Sequence, residues 1–342
     1  MIEKVRLLTA ILVLLLVNSA FSGTCEQNAT TILCERQSSS NPLFTIRGDV
    51  SRVETIIVHN AEMDLTDDLL KIDTTLPNVS LMNLTGNSIE RIGPRGFDKV
   101  HNVQYLYLSR NPISMTQADT FMSLTRLERL EMNDAIAGSS EFKLHFLLSI
   151  LHTKHKFVHL TEIQLNDNEI EELHPITFCG VQGLLRLELS NNKLESLDFT
   201  AKCFSNLKAL FVAGNKIHHI PADLWDRMPS LTSLDISKNP LHCDCSMVEM
   251  VKSDDISFLN QGKTFCASPL EVKGMNVFDL PKEYCKKDSG YHTFRNCIVL
   301  VIIGAVCLFL YKKYRDRLPK WSGVASYHNI DHENVVVQPE FV

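Results

Sequence analysis

The sequence predicts an α/β solenoid, a horseshoe whose concave side is lined by a parallel β-sheet and whose two ends are closed by disulfide caps. Three observations lead to this prediction. The pattern L-x-x-L-x-L-x-x-N-x-L recurs along the chain, a large aromatic residue recurs ten positions after its Asn, and cysteines cluster outside the first and last copies. Because one copy alone cannot bury its apolar face, successive copies are expected to stack.

The recurring pattern is that of leucine-rich repeats, with Ile, Val and Met replacing some of the leucines. Six complete copies begin at Val79, Val103, Leu160, Leu184, Leu207 and Leu231. Two further copies begin at Val53 and Leu127 and carry Ala61 and Ala135 in place of the Asn. The inward-pointing Asn is polar and buried, so its amide should bond backbone groups of neighbouring turns as a ladder. We therefore expect about eight repeats over residues 53–241.

The aromatic residues that follow each Asn predict a stacked spine on the convex side, formed by Phe97, Phe121, Phe178 and Trp225. One step of the repeat is unusually long, because Ala135 and Asn168 are 33 residues apart. The insertion, near 138–158, carries apolar residues at helical spacing: Phe142, Phe146, Leu147, Ile150 and Leu151. The sequence thus predicts an amphipathic helical bulge and an interruption of the stack at this point.

Two apolar segments predict the cellular location. Residues 1–22 combine Lys4 and Arg6 with an apolar run and small residues, which is typical of a secretory signal peptide. Residues 287–311 contain a second apolar run, and a basic stretch from Lys312 begins the predicted cytoplasmic tail, 312–342. A lipid anchor is the alternative, which the 31 residues after the run disfavour. We expect a single-pass type I protein of the plasma membrane with its N-terminus outside.

The predicted extracellular part contains three N-glycosylation sequons, at Asn28, Asn78 and Asn83, and eight cysteines. Cys25 and Cys34 are expected to form one bridge in an N-terminal cap over residues 23–52. Cys179 and Cys203 each lie eleven residues after a repeat Asn, so they occupy equivalent places one rung apart. That placement favours a disulfide, and two buried free thiols are the alternative.

The last repeat leaves an open apolar end, which the segment 242–286 is expected to cover. It contains four cysteines, Cys243, Cys245, Cys266 and Cys285. Zinc binding is the alternative to disulfides, but the segment is predicted to be extracellular and has no second closely spaced cysteine pair.

These four cysteines resemble the C-terminal flanking cap of extracellular leucine-rich repeat proteins. The motifs CDCSMVEMV, from Cys243, and CASP, from Cys266, followed by an apolar segment and a short tail, resemble the trophoblast glycoprotein family. The resemblance implies that Cys243 pairs with Cys266 and Cys245 with Cys285. It also implies a cell-surface protein that modulates Wnt signalling and affects adhesion and migration. The N-terminal cap departs from the family pattern, since it has two cysteines in place of four.

The outward-pointing residues of the repeat strands predict a protein-binding surface on the concave side. The candidate partner-binding residues are Tyr105, Tyr107, Arg129, Glu131, Arg186, Glu188 and Phe211. The aromatic residues are the expected binding hot spots. Arg129, Glu162 and Arg186 have a second interpretation, a ladder of opposite charges across neighbouring strands that satisfies itself. A glycan on Asn83 would cover part of the N-terminal half of this surface.

Two short motifs in the tail predict cytoplasmic partners. The segment YHNI, from Tyr327 to Ile330, fits the Tyr-x-x-apolar signal of clathrin adaptors. The chain ends in Val342 with Glu340 two positions before it, a pattern that PDZ domains accept by strand addition, as in the trophoblast glycoprotein family.

The sequence argues against an enzyme, a cofactor site and a nucleic-acid binder. A net charge of -6 lacks the basic excess of nucleic-acid-binding proteins, and no nucleophile elbow or phosphate loop is visible. His152, His155 and His159 share a helical spacing, but a solvated basic segment is favoured over a metal site. Two functions remain: a cell-surface signalling modulator that binds proteins, or an adhesion, matrix-binding or pattern-recognition receptor on the same scaffold.

Overall fold

A computed structural model describes residues 24–35, 49–61, 75–116, 120–152, 157–221, 223–252 and 256–314. The chain divides after Cys285 into two compact units, residues 1–285 and 286–342. The predicted signal peptide and the tail motifs at Tyr327, Ile330, Glu340 and Val342 lie outside the described residues.

The first unit is built from short strands, as the repeat pattern predicts. In chain order the strands are β1 Thr24–Gln27, β2 Thr31–Glu35, β3 Thr55–His59, β4 Leu81–Asn83, β5 Arg91–Ile92, β6 Tyr105–Tyr107, β7 Met115–Thr116, β8 Arg129–Glu131, β9 Glu162–Gln164, β10 Arg186–Glu188, β11 Ala209–Phe211, β12 Ser233–Asp235, β13 Leu241–His242, β14 Ser257–Phe258 and β15 Cys266–Ser268.

Eleven of the described strands form one sheet in the order β1-β2-β3-β4-β6-β8-β9-β10-β11-β12-β14. All neighbours pair in parallel except β1 and β2, which form an antiparallel hairpin. The eight strands from β3 to β12 in this sheet coincide with the eight predicted repeats. The middle residue of each three-residue strand of this sheet is buried, as in β6, where Leu106 lies between half-buried Tyr105 and Tyr107. This alternation gives the sheet an apolar inner face and a partly exposed outer face.

The predicted asparagine ladder is confirmed. Asn192 is typical: its Nδ2 donates to the carbonyls of Leu165 and Leu189 at 2.9 Å, and its Oδ1 accepts from the N–H groups of Asn168 and Ile170 at 3.0 Å. The buried members of the ladder are Asn87, Asn111, Asn168, Asn192, Asn215 and Asn239. The ladder continues across the two repeats that have lost their Asn, since the amide oxygens of Asn87 and Asn168 accept from the N–H groups of Ala61 and Ala135.

The described helices are α1 Ser140–Leu151, α2 Leu224–Arg227, α3 Cys245–Val251 and α4 Lys282–Tyr314. Short 3₁₀ helices occupy Asp98–Val100, Thr177–Gly180, Ala201–Cys203, Gln261–Lys263, Leu270–Val272 and Val277–Asp279.

Helix α1 confirms the helix predicted in the insertion. Ser139 caps its N-terminus by accepting a hydrogen bond from the N–H of Phe142 at 3.2 Å. The predicted apolar face is buried at Phe146, Leu147, Ile150 and Leu151.

The predicted interruption of the stack is wrong, because the sheet continues across the insertion. Strands β8 and β9 pair in regular parallel register across the insertion, with Leu130 opposite Ile163. Asn168 also crosses it, because its Oδ1 accepts from the N–H groups of Ala135 and Ile136 at 2.8 Å. The hydrogen bonds of the ladder fix the strand spacing, so the additional residues are accommodated away from the sheet.

Helix α1 packs closely on the 3₁₀ turn Thr177–Gly180. A Cβ atom on Gly180 would lie 2.1 Å from the carbonyl oxygen of Leu151, the last residue of the helix. Glycine is therefore required there by the close approach of two backbone segments.

The expected aromatic spine is present in two separate clusters. Phe97 and Phe121 contact each other with ring centroids 5.5 Å apart, and Phe178 contacts Phe199 and Phe204 at 6.4 and 5.6 Å. The expected continuous stack is not formed among the described rings, because α1 is inserted in sequence between the two clusters and packs beside Phe178. The side chain of Trp225 lies outside the described part of the structure.

The N-terminal end of the sheet is closed by the β1–β2 hairpin, in which Cys25 and Cys34 are opposite each other and disulfide-bonded. A second disulfide joins Cys179 to Cys203, whose Cα atoms are 4.4 Å apart on adjacent rungs. Both bridges have the predicted partners.

The C-terminal end is covered by α3, β14 and the segment that follows. Asp244 caps α3 by accepting from the N–H of Met247 at 2.9 Å, and a disulfide joins Cys243 to Cys266. The cover buries a set of apolar residues: Met247, Val248, Met250, Val251, Phe258, Val272, Val277 and Leu280. Pairing of Cys245 with Cys285 stays a prediction.

Helix α4 contains the apolar run from Cys297, in which Leu300, Val301 and Leu308 are examples of exposed side chains. Over the residues that the structure describes, no helix has both the length and the apolar composition to cross a bilayer. The membrane span within 287–311 stays a prediction.

Candidate protein-binding surface

The outward positions of the neighbouring strands β6, β8, β9, β10 and β11 form one continuous surface, called here the concave surface. It contains all seven candidate residues: Tyr105, Tyr107, Arg129, Glu131, Arg186, Glu188 and Phe211. The parallel register places Tyr105 beside Arg129 and Tyr107 beside Glu131. Neighbouring strands are about 4.8 Å apart, so these side chains lie within reach of one another.

The middle of the concave surface is a chain of ion pairs. Glu162 accepts from Arg129, with Arg129 Nε 2.8 Å from Glu162 Oε2, and its other oxygen lies 3.4 Å from Nε of Arg186. Arg186 also pairs with Glu188 at 2.6 Å. The hydrogen bond with Glu162 raises the pKa of Arg129. The interpretation of these residues as a self-satisfying charge ladder is confirmed.

Phe211 is joined to this ladder. The guanidinium carbon of Arg186 lies 4.2 Å from the centre of the Phe211 ring, a cation–π contact. One face of the ring is thereby covered, which leaves less of this predicted hot spot free for a partner.

A row of polar side chains runs beside the ladder, one outward position further along each strand. Asn133 Nδ2 donates to Gln164 Oε1 at 3.1 Å, and Asn166 Nδ2 donates to Glu188 Oε2 at 2.8 Å. Ser109 donates to Glu131 Oε1 at 2.9 Å. These side chains occupy a third outward position of each repeat, which was not among the predicted residues although the same two-residue alternation identifies it.

The tyrosine pair on β6 lies at the N-terminal end of the ladder. Tyr105 donates its hydroxyl proton to Glu128 Oε2 at 3.2 Å. This hydrogen bond, together with the negative charge of Glu128, raises the pKa of Tyr105 above its usual range. Glu128 was not among the predicted residues, because it precedes the strand β8 by one position.

Asp235, an outward position in the sequence pattern, does not belong to the exposed surface. It is 4 % exposed, and it accepts from Asn260 Nδ2 at 2.6 Å and from the N–H of Ser237 at 3.0 Å. Asn260 belongs to the C-terminal cover, which therefore closes the concave surface at this end.

The three sequons lie in different environments. Asn28 and Asn78 are exposed, and Asn78 Nδ2 donates to the carbonyl of Ser51. Asn83 is half-buried in β4 and adjacent to Tyr107 in the sheet. Its Oδ1 accepts from the N–H of Thr85 at 3.0 Å. Glycosylation at these positions stays a prediction.

Among the residues with described positions, no group of three or more His, Cys, Asp or Glu side chains is arranged to hold a metal ion. His152 and His159 are exposed, and His155 lies outside the described residues.

Comparison with known proteins identifies the repeats. A leucine-rich repeat family model matches residues 75–134 and 158–201. Toll-like receptor 5 of Homo sapiens is 24% identical over 251 residues, which cover 69% of this chain and 28% of the receptor. Lumican of Homo sapiens is 28% identical over 178 residues, which cover 48% of this chain and 52% of lumican. The matched regions thus span about half, or less, of the length of these relatives.

Among solved structures, human 5T4 (Wnt-activated inhibitory factor 1, trophoblast glycoprotein) matches with a TM-score of 0.64 at 19% sequence identity. The match covers 76% of this chain and 96% of that chain, and it shows a shared fold. The chain contains leucine-rich repeats between disulfide-bonded caps, and such disulfides are typical of extracellular proteins. The matched leucine-rich repeats are a non-enzymatic scaffold.

Proposed function

We propose that this chain is a cell-surface scaffold that binds a protein partner on its concave surface. The observation that supports the proposal best is the adjacency of two half-buried tyrosines, Tyr105 and Tyr107, to an ordered charge ladder on one continuous sheet. Tyrosine supplies a large contact area with few rotatable bonds, and it is enriched among interface hot spots.

The charge ladder fixes side-chain conformations on the concave surface more than it attracts a partner. Arg129, Arg186, Glu188 and Phe211 are already held by contacts within the surface. A partner that binds there meets side chains whose conformations are fixed beforehand, so less conformational entropy is lost on binding. We therefore assign these residues a supporting role around the two tyrosines.

A glycan on Asn83 belongs to the same proposal. Since Asn83 is adjacent to Tyr107 in the sheet, the glycan would project beside the tyrosine pair. The partner would then approach from the side of β8 to β11, and the glycan would limit the N-terminal edge of the interface.

Modulation of Wnt signalling is the finer form of the proposal, in the direction of dampening. It is supported by the resemblance of the cap sequence, CDCSMVEMV followed by CASP, to the trophoblast glycoprotein family. The structurally similar 5T4 also bears the name Wnt-activated inhibitory factor 1.

We include single-pass anchoring and cytoplasmic partners in the proposal. The uncharged run from Cys297 to Tyr311 is followed by Lys312 and Lys313, as expected at the cytoplasmic end of a span. Tyr327 and Ile330 would then be available to a clathrin adaptor, and Glu340 and Val342 to a PDZ domain.

The double variant Tyr105→Ala, Tyr107→Ala tests the proposal. A partner is first identified by screening surface and secreted proteins against the purified extracellular unit. We expect the variant to bind that partner about tenfold or more weakly, because truncation of hot-spot aromatics costs about 2 kcal/mol or more. Binding is measured by surface plasmon resonance, and dampening by a Wnt-responsive reporter in cells.

The matched control is Phe265→Ala, which removes an exposed aromatic ring, 47 % exposed, from the C-terminal cap. The control should retain both binding and dampening. If the tyrosine variant binds the partner as tightly as wild type does, the concave surface is excluded as the binding site. If the wild-type protein does not change the reporter signal, the Wnt function is excluded.

A further inference from the structure

The concave surface from β6 to β10 carries more carboxylates than cations. Its cations are Arg129 and Arg186, and the carboxylates on or beside the same strands are Glu128, Glu131, Glu162 and Glu188. The surface therefore has an excess of two negative charges.

Both arginines are committed to partners within the surface. Arg129 is bound to Glu162 and is also hydrogen-bonded to Tyr107. Arg186 is shared between Glu162 and Glu188 and lies over Phe211. An anionic ligand would have to break these contacts, which makes the ladder a poor receptor for negative charge.

The remaining carboxylates, Glu128 and Glu131, have no cationic partner among the described residues. Each accepts a hydrogen bond from a neutral hydroxyl, from Tyr105 at 3.2 Å for Glu128 and from Ser109 at 2.9 Å for Glu131. Neither side chain is fully buried, so both carboxylates are accessible to a partner.

These two carboxylates lie beside the tyrosine pair. Tyr105 contacts Glu128 directly, and Tyr107 is the register neighbour of Glu131 on the adjacent strand. The four residues thus combine two aromatic rings with two unpaired negative charges on rigid sheet elements.

We infer that Tyr105, Tyr107, Glu128 and Glu131 form a subsite that receives a cationic side chain, Arg or Lys, of the protein partner. The inference rests on the proposed function and specifies the chemistry of the ligand. A guanidinium or ammonium group is attracted both by carboxylates and by the faces of aromatic rings. A neutral or acidic side chain gains neither interaction.

The subsite is tested with a fluorescent tetra-arginine amide and its neutral isostere, tetra-citrulline amide, by fluorescence anisotropy on the purified protein at low ionic strength. Wild type should bind the arginine peptide more tightly than the citrulline peptide. The double variant Glu128→Gln, Glu131→Gln should bind the arginine peptide about fivefold more weakly than wild type does. This is the loss of affinity expected when two partly exposed ion pairs are removed. Both glutamines can still accept the hydroxyl hydrogen bonds, so the fold should be retained.

The matched control is Glu171→Gln, Glu172→Gln, which removes two charges from a separate open groove of about 650 Å³ that also contains Glu195 and Asp198. This control should bind the arginine peptide as wild type does. Equal losses in the two double variants, or equal affinity of wild type for both peptides, would overturn the inference.

The outcome is separable from that of the proposed function. If the tyrosine variant loses the partner while Glu128→Gln, Glu131→Gln keeps wild-type affinity for the arginine peptide, the cationic subsite is rejected and the concave interface stands. If the tyrosine variant keeps the partner, the interface itself is rejected whatever the peptide result.

Discussion

Each ladder asparagine satisfies backbone groups of two consecutive rungs. Asn192 accepts from two N–H groups of the preceding turn and donates to carbonyls on both rungs. These groups are buried, and a buried N–H without a partner costs about 1–3 kcal/mol. The asparagine is therefore required by the hydrogen bonds that stacking would otherwise leave unmade.

The substitution Asn192→Ala tests this account. We expect the free energy of unfolding to fall by about 2–4 kcal/mol, because the N–H groups of Asn168 and Ile170 lose their acceptor. The measurement is the midpoint of urea unfolding followed by circular dichroism.

Asn206→Ala is the control, since Asn206 is exposed and its side chain donates a hydrogen bond to the carbonyl of Gln182. Its midpoint should stay close to that of wild type. Equal shifts for the two variants would contradict a special role of the ladder.

At the residue scale, the ladder and the inward positions could be predicted from the sequence because they depend on spacing within one repeat. The burial of Asp235 could not be predicted from the sequence, because its partner Asn260 lies 25 residues away in the C-terminal cover. Glu128 was missed for a related reason: its role depends on the reach of Tyr105 across to the next strand.

At the element scale, the docking of helix α1 depends on one glycine. The carbonyl of Leu151 approaches the backbone of Gly180 so closely that a Cβ atom would lie 2.1 Å from it. The helix and the 3₁₀ turn can pack together only while position 180 has no side chain.

We expect Gly180→Ala to lower the free energy of unfolding by about 1–3 kcal/mol, since one of the two backbone segments must shift. The shift should also increase hydrogen exchange of amides in Ser140–Leu151, measured by mass spectrometry. Gly262→Ala is the matched control, because nothing lies within 4 Å of its Cβ position. Unchanged exchange in α1 of the Gly180 variant would contradict this packing.

The sequence predicted helix α1 from its apolar spacing, but it did not predict that the sheet continues past it. Strand pairing is set by hydrogen bonds such as those of Asn168 with Ala135 and Ile136, which connect residues 32 and 33 positions apart. A periodicity analysis treats a long step as a gap in the stack, whereas the backbone hydrogen bonds need only the two flanking strands.

At the scale of the whole molecule, the proposed anchoring predicts that the full chain stays in the membrane and that a chain without the apolar run is secreted. We expect the full chain to stay in the membrane pellet after alkaline carbonate extraction, because the uncharged run from Cys297 to Tyr311 is retained in the bilayer. A chain that ends at Gly290 should instead be recovered from the culture medium.

A chain that ends at Tyr314 is the control, since it keeps the run and loses the predicted tail. It should remain in the pellet. Recovery of the full chain from the medium in the same proportion as the Gly290 truncation would contradict anchoring.

The architecture of the first unit was largely predictable, because repeats, caps and disulfide partners all follow from periodic positions. The chemistry of the concave surface was only partly predictable. The sequence lists which side chains point outward, but which charges are neutralised depends on cross-strand contacts such as those of Glu162 with Arg129 and Arg186.

The uninterrupted pairing of β8 with β9 means that the number of residues between two rungs does not determine the distance between their outward side chains. Arg129 and Glu162 remain immediate neighbours although 32 residues separate them in the chain. The segments that connect the strands can therefore lengthen, shorten or acquire new elements while the arrangement of side chains on the concave surface is preserved.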